Sequence, residues 1–354
     1  MASTIATMLS VGLLPSFLKK RYYRMRGAKI GKGVSIGFLS TIDANRVEIG
    51  DNSRIGMMVR IKAKQFKMGS YSRIRNSTTI SAPRVRIGNE TIISNDVIIG
   101  GMESWNSKFV IGDRCTIFPK CFINPTKDII IGNDVGIGGS NYLFTHGSWS
   151  NALEGFPMGF GPIIIEDRVW LPWRVFVLPN VTIGHDAVVA AGSVISKSIP
   201  PMTLAAGVPA KVIKDRDEFV TKPTKQDKIQ TLQNWFSEFE DFLKIERLVV
   251  DEISDQYIWS SIIKDSKGKQ LGSVFVVESV NEDMIRKNEG RKYFITLEEI
   301  QVDLKAMIEN SDGAWFDISK YEWCGSRNRL AIELRTFLER FGVRFESIDL
   351  RKGI

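Results

Sequence analysis

The sequence predicts a mainly β chain: a triangular prism of about eight stacked coils, followed by a small α+β domain. Three observations carry this reading. Twenty-four aliphatic side chains (Met68 counted among them) recur at six-residue spacing between Ile30 and Ile195. The pattern stops near residue 214, at a polar stretch. Beyond that stretch, apolar residues fall at helical spacing and in short strand-like runs.

The aliphatic residues form triplets. The first four are Ile30, Ile36, Ile42; Ile49, Ile55, Ile61; Met68, Ile74, Ile80; and Ile87, Ile93, Ile99. The next four are Ile111, Ile117, Ile123; Ile131, Ile137, Leu143; Ile165, Leu171, Val177; and Ile183, Val189, Ile195. Triplet starts 30, 49, 68 and 87 are each 19 apart, so a repeat reading precedes any other. Six is neither a helical period nor simple alternation. It suits a short strand and a corner, three of each per turn. One aliphatic side chain per strand then points to the axis and stacks on its counterpart one turn later.

Gly commonly follows the aliphatic residue, and Asp or Asn often comes next, as in Ile49-Gly50-Asp51-Asn52. These residues tolerate the positive φ that sharp corners need. Four positions after the aliphatic residue the side chain is often small or β-branched: Val34, Ser53, Ser72, Thr91, Val135, Ala187, Ser193. This is a second inward place. Eight turns at strand spacing make a prism roughly 38 Å tall. No turn buries its face alone, so the coils stabilise one another.

The register breaks twice. From Ile99 to Ile111 the step is 12, so about six residues leave the prism; from Leu143 to Ile165 it is 22, so about sixteen leave. Excursions from a rigid solenoid commonly carry function. The second contains His146, one of two histidines in the chain.

The chain has 354 residues, enough for two domains, with 43% hydrophobic content and three cysteines. Three cysteines argue against a disulfide scaffold. Cys115 and Cys121 occupy the small inward position and read as core; a reducing, cytoplasmic setting fits. Of the net charge of +8, +6 lies in residues 1–29 (Lys19, Lys20, Arg21, Arg24, Arg26, Lys29, no acid). An apolar stretch from Ile5 to Leu18 accompanies it, too short to span a bilayer and unlike a signal peptide. Residues 1–29 therefore read as a cap over the first coil or as a peripheral contact with anionic lipid, at the inner face of the membrane. One basic cluster without base-reading motifs disfavours nucleic acid.

Residues 215–225 read as a polar linker, and 226–354 as the α+β domain. There Ile229, Leu232, Phe236, Phe239 and Leu243 predict a helix. Segments 256–263 and 270–277 predict a hairpin around Asp265-Ser266-Lys267-Gly268-Lys269. Segments 292–297 and 313–318 predict further strands, and Leu330, Leu334, Phe337, Leu338 and Phe341 a second helix. No motif in this domain indicates its chemistry.

The last coils carry a denser signal. It runs through Val169-Trp170-Leu171-Pro172-Trp173, Leu178-Pro179-Asn180-Val181-Thr182-Ile183-Gly184, Ala190-Ala191-Gly192-Ser193-Val194-Ile195-Ser196-Lys197 and Ala206-Gly207-Val208-Pro209-Ala210-Lys211-Val212-Ile213-Lys214. Over about residues 28–214 the chain resembles the hexapeptide-repeat acyltransferases, in particular the branch of galactoside, maltose, serine and polysaccharide O-acetyltransferases.

The resemblance implies a left-handed parallel β-helix, a homotrimer, and acetyl-coenzyme A lying in the cleft between neighbouring prisms. It implies a catalytic histidine at His146. An imidazole's ordinary pKa of about 6.5 leaves it largely neutral at pH 7, suited to take a proton from a hydroxyl. The hydroxyl oxygen then attacks the thioester directly. Asn141, at the small inward position of the same coil, is either a helper near the base or a polar ladder residue; His185 reads as a solvated corner. For coenzyme A the resemblance points to Trp173 and Ala191 on the pantetheine arm, Ser196 and Lys197 further along, and Lys211 and Lys214 at the phosphates. Relatives usually have Gly at Pro172 and a small residue at Trp173. Pro removes a backbone donor, and Trp adds bulk to a narrow cleft. The loop 147–162, with Trp149, Phe156, Met158 and Phe160, reads as a sugar-stacking lid or as packing onto a neighbouring subunit.

The resulting expectation is acetyl-coenzyme A-dependent O-acetylation of a sugar hydroxyl, on a surface polysaccharide or its lipid-linked precursor. The alternatives are N-acetylation of a nucleotide-linked amino sugar and a non-catalytic trimeric scaffold. No resident metal is expected, because two histidines do not make a three-histidine site.

Overall fold

The computed structural model describes residues 10–102, 106–147, 150–253, 256–287 and 290–351. The chain divides into two compact units, Met1–Thr221 and Lys222–Ile354.

In the first unit the aliphatic triplets stack as their spacing demands. Ile30 pairs with Ile49, Ile36 with Ile55 and Ile42 with Ile61, in parallel register, and the pattern runs on to Ile165 with Ile183 and Val177 with Ile195. The fold is a parallel β-helix. All twenty-four aliphatics are buried, and Ile30, on the bottom coil, is the most exposed at 9%. A partial ninth coil follows: Ile199 bridges to Ile183, and Val189 pairs with Ala205. The antiparallel strand Ala210–Asp215 closes the top.

The small inward position holds a polar ladder. Ser53 Oγ donates to the Gly69 carbonyl and accepts from the Ser72 N–H; Ser72 does the same with Gly88 and Thr91. Cys115 continues the ladder, its Sγ donating to the Gly132 carbonyl, and Cys121 donates to Gly138. Each hydroxyl or thiol thereby ties its own coil to the next, which satisfies buried polar groups that a purely apolar core would leave unpaired.

The corner glycines serve a different purpose from the one expected. Positive φ falls on the residue three places after the aliphatic one, Gly33, Asn52, Tyr71, Glu90, Arg114, Asp134, Arg168 and Asp186, three of which are the Asn or Asp expected to tolerate it. The glycines are required by close approach. A Cβ on Gly31 would stand 2.2 Å from Asp51 Oδ1, and one on Gly132 2.2 Å from Asp167 Oδ1. Those carboxylates accept the N–H of Lys32 and of Asn133 from the coil before, at 2.7 Å each. Nor are all corners tight: strands Thr41–Ile49 and Arg60–Met68 run unbroken through the third corner of the first two coils, where the step is seven residues instead of six.

Residues 11–26 cap the bottom coil. Ser16–Met25 is a helix after Pro15. Its Tyr23 hydroxyl accepts the Ile42 N–H, Ser16 Oγ accepts that of Ile36, and the fully buried Lys19 ammonium donates to the Gly37 carbonyl. Burial lowers the Lys19 pKa. Leu13, Phe17 and Met25 remain exposed on the cap. Residues 1–9, which include the start of the apolar stretch, lie outside the described residues. Among those described, no helix is long and apolar enough to cross a membrane.

The boundary between the two units falls within the stretch 215–225, which has a helical element at either end. Arg216–Phe219 is a helical turn held by a capping box between Asp215 and Glu218, and a second box, Thr224 with Asp227, starts the helix Lys225–Ile245. The second unit is a seven-stranded mixed sheet whose strands follow chain order. Strands 259–264 and 270–277 form the expected hairpin, and 292–296 and 314–317 lie parallel beside them. Strands 249–252, 322–325 and 346–347 and helices 282–287 and 302–310 lacked a clear sequence period. Alternate strand residues enter two apolar clusters. Phe275, Phe294 and Trp315 join Ile285 and Ile308, while Val274, Ile295 and Phe316 join Phe236 and Leu334. Helices therefore cover both faces of this sheet.

Candidate active site

His146 stands where the second excursion leaves the prism. Thr145 is fully buried, and its N–H and Oγ1 both donate to the Asn124 carbonyl of the coil below. Its Oγ1 also accepts the Lys127 N–H. This anchors the base of the excursion, which opens as an antiparallel ladder: His146 pairs with Phe160 and Gly147 with Gly159. Gly161 closes it, donating to the Thr145 carbonyl. The His146 ring stacks on Phe160, centroids 5.9 Å apart and planes inclined 19°, and Lys127 Nζ lies 5.9 Å from that same Phe160 ring. His146 is half-buried, and its Nδ1 is buried without a partner among the described residues.

The excursion projects apolar side chains into solvent. Asn151 caps the short 3-10 turn Ala152–Glu154, and Gly155 ends it at φ 88°. Leu153 is 97% exposed, and Phe156, Met158 and Phe160 are also exposed. Trp149 falls outside the described residues.

The face between His146 and the second corner of the prism carries an aromatic strip. Tyr142 stacks on Phe176 at 4.6 Å, and Phe144 lies 5.5 Å from Phe122 and 6.3 Å from Phe176. These rings are half-buried on strands of three consecutive coils.

At the second corner stand the two tryptophans of the densest motif. Trp170 pairs with Gly136, and a Cβ there would lie 2.4 Å from Trp170 Cε3. Trp173 covers Gly139 in the same way. Gly136, Gly138 and Gly139 thus form a side-chain-free shelf under Trp170, Pro172 and Trp173, an offset of 34 residues in each case. That offset was the signal available in the sequence. It was obscured because the long excursion intervenes. Pro172 interrupts a backbone column. At its level in other coils the N–H donates upward, Gly56 to Ile74, Phe118 to Ile137, Gly138 to Leu171 and Ala190 to Ala205. The rung from residue 172 toward Val189 cannot form, since Pro has no N–H. The column resumes one coil later, so the departure is local.

Ala191 lies one coil above Trp173, where Gly192 donates to the Trp173 carbonyl at 3.0 Å. The turn beyond it is tied down by Gly207 donating to Ser193 Oγ, and contains a cis Val208–Pro209 bond. Lys211 pairs with Ala206 and Lys214 with Leu204 on the closing strand. Trp173, Ala191, Ser196, Lys197, Lys211 and Lys214 are all exposed. Trp173 and Ala191 share one corner; on the closing strand Lys211 lies near it, while Lys214 lies farther back, paired to Leu204 over Val188.

Asn141 is a ladder residue. Fully buried, it accepts the Val175 N–H at 2.6 Å and donates to the Leu171 carbonyl, so its carboxamide is engaged inside the prism. His185 belongs to a surface cluster in which Asp186 bridges Arg168, at 2.8 Å through both oxygens, and the His185 ring. Among the described residues no group of three or more His, Cys, Asp or Glu could hold a metal ion.

No family model matches the chain. A Schizosaccharomyces pombe protein that bears an acetyltransferase name is 36% identical over 111 residues, 31% of this chain and 51% of its own length. An Escherichia coli (strain K12) protein named for acetyl transfer in colanic acid biosynthesis is 37% identical over 111 residues, 31% of this chain and 60% of its own. The chain spans about half the length of the curated relatives it matches. Among solved structures it aligns with the polysialic acid-specific acetyltransferase NeuO at 19% identity and TM-score 0.34, covering 61% of this chain and 93% of that one. It aligns with a galactoside acetyltransferase in complex with coenzyme A at 25% identity and TM-score 0.25, covering 41% and 66%. The sequence similarity is to proteins named as acetyltransferases, and the strands of this chain form the hexapeptide-repeat prism.

Proposed function

We propose that this hexapeptide-repeat protein, similar in sequence to acetyltransferases, moves an acetyl group from acetyl-coenzyme A to a hydroxyl of a saccharide. The observation that carries the reading is the position of His146. It is held by the Thr145–Asn124 anchor at the mouth of an aromatic, Gly-rich excursion, half-buried and with Nδ1 covered.

The chemistry follows from that position. His146 accepts the proton of the sugar hydroxyl as its oxygen attacks the thioester carbonyl. The tetrahedral intermediate collapses, the carbon–sulfur bond breaks, and the imidazolium returns the proton to the leaving thiolate. No covalent enzyme intermediate is required. Trp173 and Ala191 would flank the pantetheine arm, with Ser196 and Lys197 beyond it. Lys211 and Lys214 would meet the phosphates, where a cation suits the charge. Phe156, Met158 and Phe160 supply apolar faces on which a sugar ring can lie. A homotrimer would bring the exposed loop of one prism against its neighbour, which accounts for apolar side chains that their own prism leaves uncovered. The exposed Leu13, Phe17 and Met25 beside Arg21 and Arg24 suit a peripheral contact with anionic lipid on the cytoplasmic side.

The test is mass spectrometry of products after incubation with acetyl-coenzyme A and a panel of hydroxyl and amino sugars. Acetylated product with wild type and none with His146→Ala supports the reading. Coenzyme A binding without any transfer would favour a scaffold.

A further inference from the structure

We infer that the third edge of the prism, below His146, is a saccharide-binding groove that holds sugar units of an extended acceptor away from the one being acetylated. This rests on the acetyltransferase reading above. The edge carries a cavity of about 300 Å³. Its walls follow from the coil register. Asp43, Lys62 and Ser81 stack in one column, and beside them Ala63, Ala82 and Gly101 line the cavity on successive coils. The third corner has an extra residue per step here, which broadens the edge from a tight turn into a trough. The floor is therefore small and apolar, while the rim bears a carboxylate, the amide of Asn45 and hydroxyls.

That combination matches a sugar ring, which has an apolar face and a hydroxyl edge. Lys62 and Lys64 also line the cavity, but both already have contacts of their own, so recognition falls to Asp43, Asn45 and the serines. A second observation points the same way. Ser107 lines the cavity, is only 5% exposed, and its buried Oγ has no partner among the described residues. Buried hydroxyls are ordinarily paired, and one left unpaired in this wall is a polar group that a small outward shift of the wall would offer to a ligand hydroxyl.

The groove is aligned with the base. Its upper end is Pro125, next to Asn124, and Asn124 pairs with Phe144 of the coil that delivers His146. From the Asp43 coil to the Pro125 coil is four steps, roughly 19 Å. An acceptor whose terminal unit meets His146 would lay its following units down this edge.

The test uses the full chain and a panel of defined hexasaccharides, neutral and uronate, with their monosaccharides as controls. Binding is followed by saturation-transfer NMR and calorimetry on wild type, Asp43→Ala/Asn45→Ala and Ser107→Ala. Both residues of the double variant are exposed, so the prism survives their loss. A hexasaccharide that binds at least tenfold tighter than its monosaccharide, and loses that advantage in the double variant while coenzyme A binding is unchanged, supports the groove. Equal binding of hexamer and monomer, or equal binding by wild type and double variant, overturns it. Transfer to monosaccharides without length dependence would leave the acetyltransferase standing and remove the groove. Length-dependent binding sensitive to Asp43, with no acetyl transfer, would do the reverse.

Discussion

The ring of Trp173 occupies the space that a β-carbon on Gly139 would need: that carbon would stand 1.9 Å from Trp173 Cζ3. The bulk at position 173 is thus accommodated by the absence of bulk thirty-four residues earlier. The indole lies over the coil below it while remaining 51% exposed.

Gly139→Ala should therefore lift Trp173 off its shelf. Overpacking of this kind costs about 1–3 kcal/mol. The expected result is a lower melting temperature, a changed tryptophan emission and weaker coenzyme A binding. Gly139→Ala combined with Trp173→Gly should recover stability. An unchanged emission spectrum in the single variant would mean that the shelf does not hold the ring.

His146→Ala should reduce kcat by about 10²–10⁴-fold, the usual contribution of a general base. Coenzyme A affinity and melting temperature should stay as in wild type, because among the described residues the ring makes no hydrogen bond through Nδ1 that holds the fold. A fully active variant would exclude His146 as the base.

Lys211→Ala/Lys214→Ala should raise the Kd for coenzyme A roughly tenfold, the scale of one charge-assisted contact. The wild-type Kd should rise with salt, and the variant's less so, since exposed charge contacts are screened. Dephospho-coenzyme A should narrow the difference between the two proteins. Identical salt slopes would separate these lysines from the phosphates.

The ladder makes a prediction about thiols. Burial pushes the Cys115 thiol up to about 12 and those of Cys121 and Cys324 up to about 11. At pH 8 the native protein should show no fast-reacting thiol toward a disulfide reagent, and three after unfolding in guanidinium. Cys115→Ser should be nearly neutral, because Ser53 and Ser72 already fill this place. Cys115→Ala should cost about 1 kcal/mol, as the Gly132 carbonyl loses the Sγ donor and keeps the Gly112 N–H at 3.2 Å, and the Val135 N–H loses its Sγ acceptor.

Asp186 sets an acid dependence. The Arg168 guanidinium, and to a lesser degree the His185 ring, hold its carboxyl down at about 2. A carboxyl depressed in the folded state stabilises above its unfolded value, about 3.9, and the contribution disappears as pH falls toward 2. Arg168 is largely exposed, so the effect is about 1 kcal/mol or less. Asp186→Asn should melt below wild type at pH 7, with the gap closing between pH 5 and pH 2. A gap that persists at pH 2 would assign the loss to packing.

The two units differ in how much the sequence discloses. In the prism each coil repeats the same local problem, so Ile30 through Ile195 announce their own burial and partners. In the second unit each element meets a different neighbour. Helices 225–245 and 329–340 could be read because one apolar stripe each faces the sheet. Short helices such as 282–287, with Ile285 as the one buried residue, show no period to read.

The site divides the same way. Where His146, Trp173, Ala191, Lys211 and Lys214 stand in the coils was legible from the spacing, while the roles given to them come from the resemblance and belong to the proposed function. The ladder role of Asn141 was one of two readings, and the hydrogen bonds to Leu171 and Val175 decide between them.

By itself the sequence determined the coil, its register and the place where the chain leaves it, because a six-residue period permits one stacking. Tertiary structure alone decided what the corners do. It placed positive φ also on Tyr71 and Arg168, which are neither Gly, Asn nor Asp, and left Gly31 and Gly132 for close approach. It seated Trp173 on Gly139, and it assembled a trough from Asp43, Ser81 and Ser107. The reason is physical: those relationships join residues from different coils, at distances set by strand spacing and excursion length, which no local pattern records.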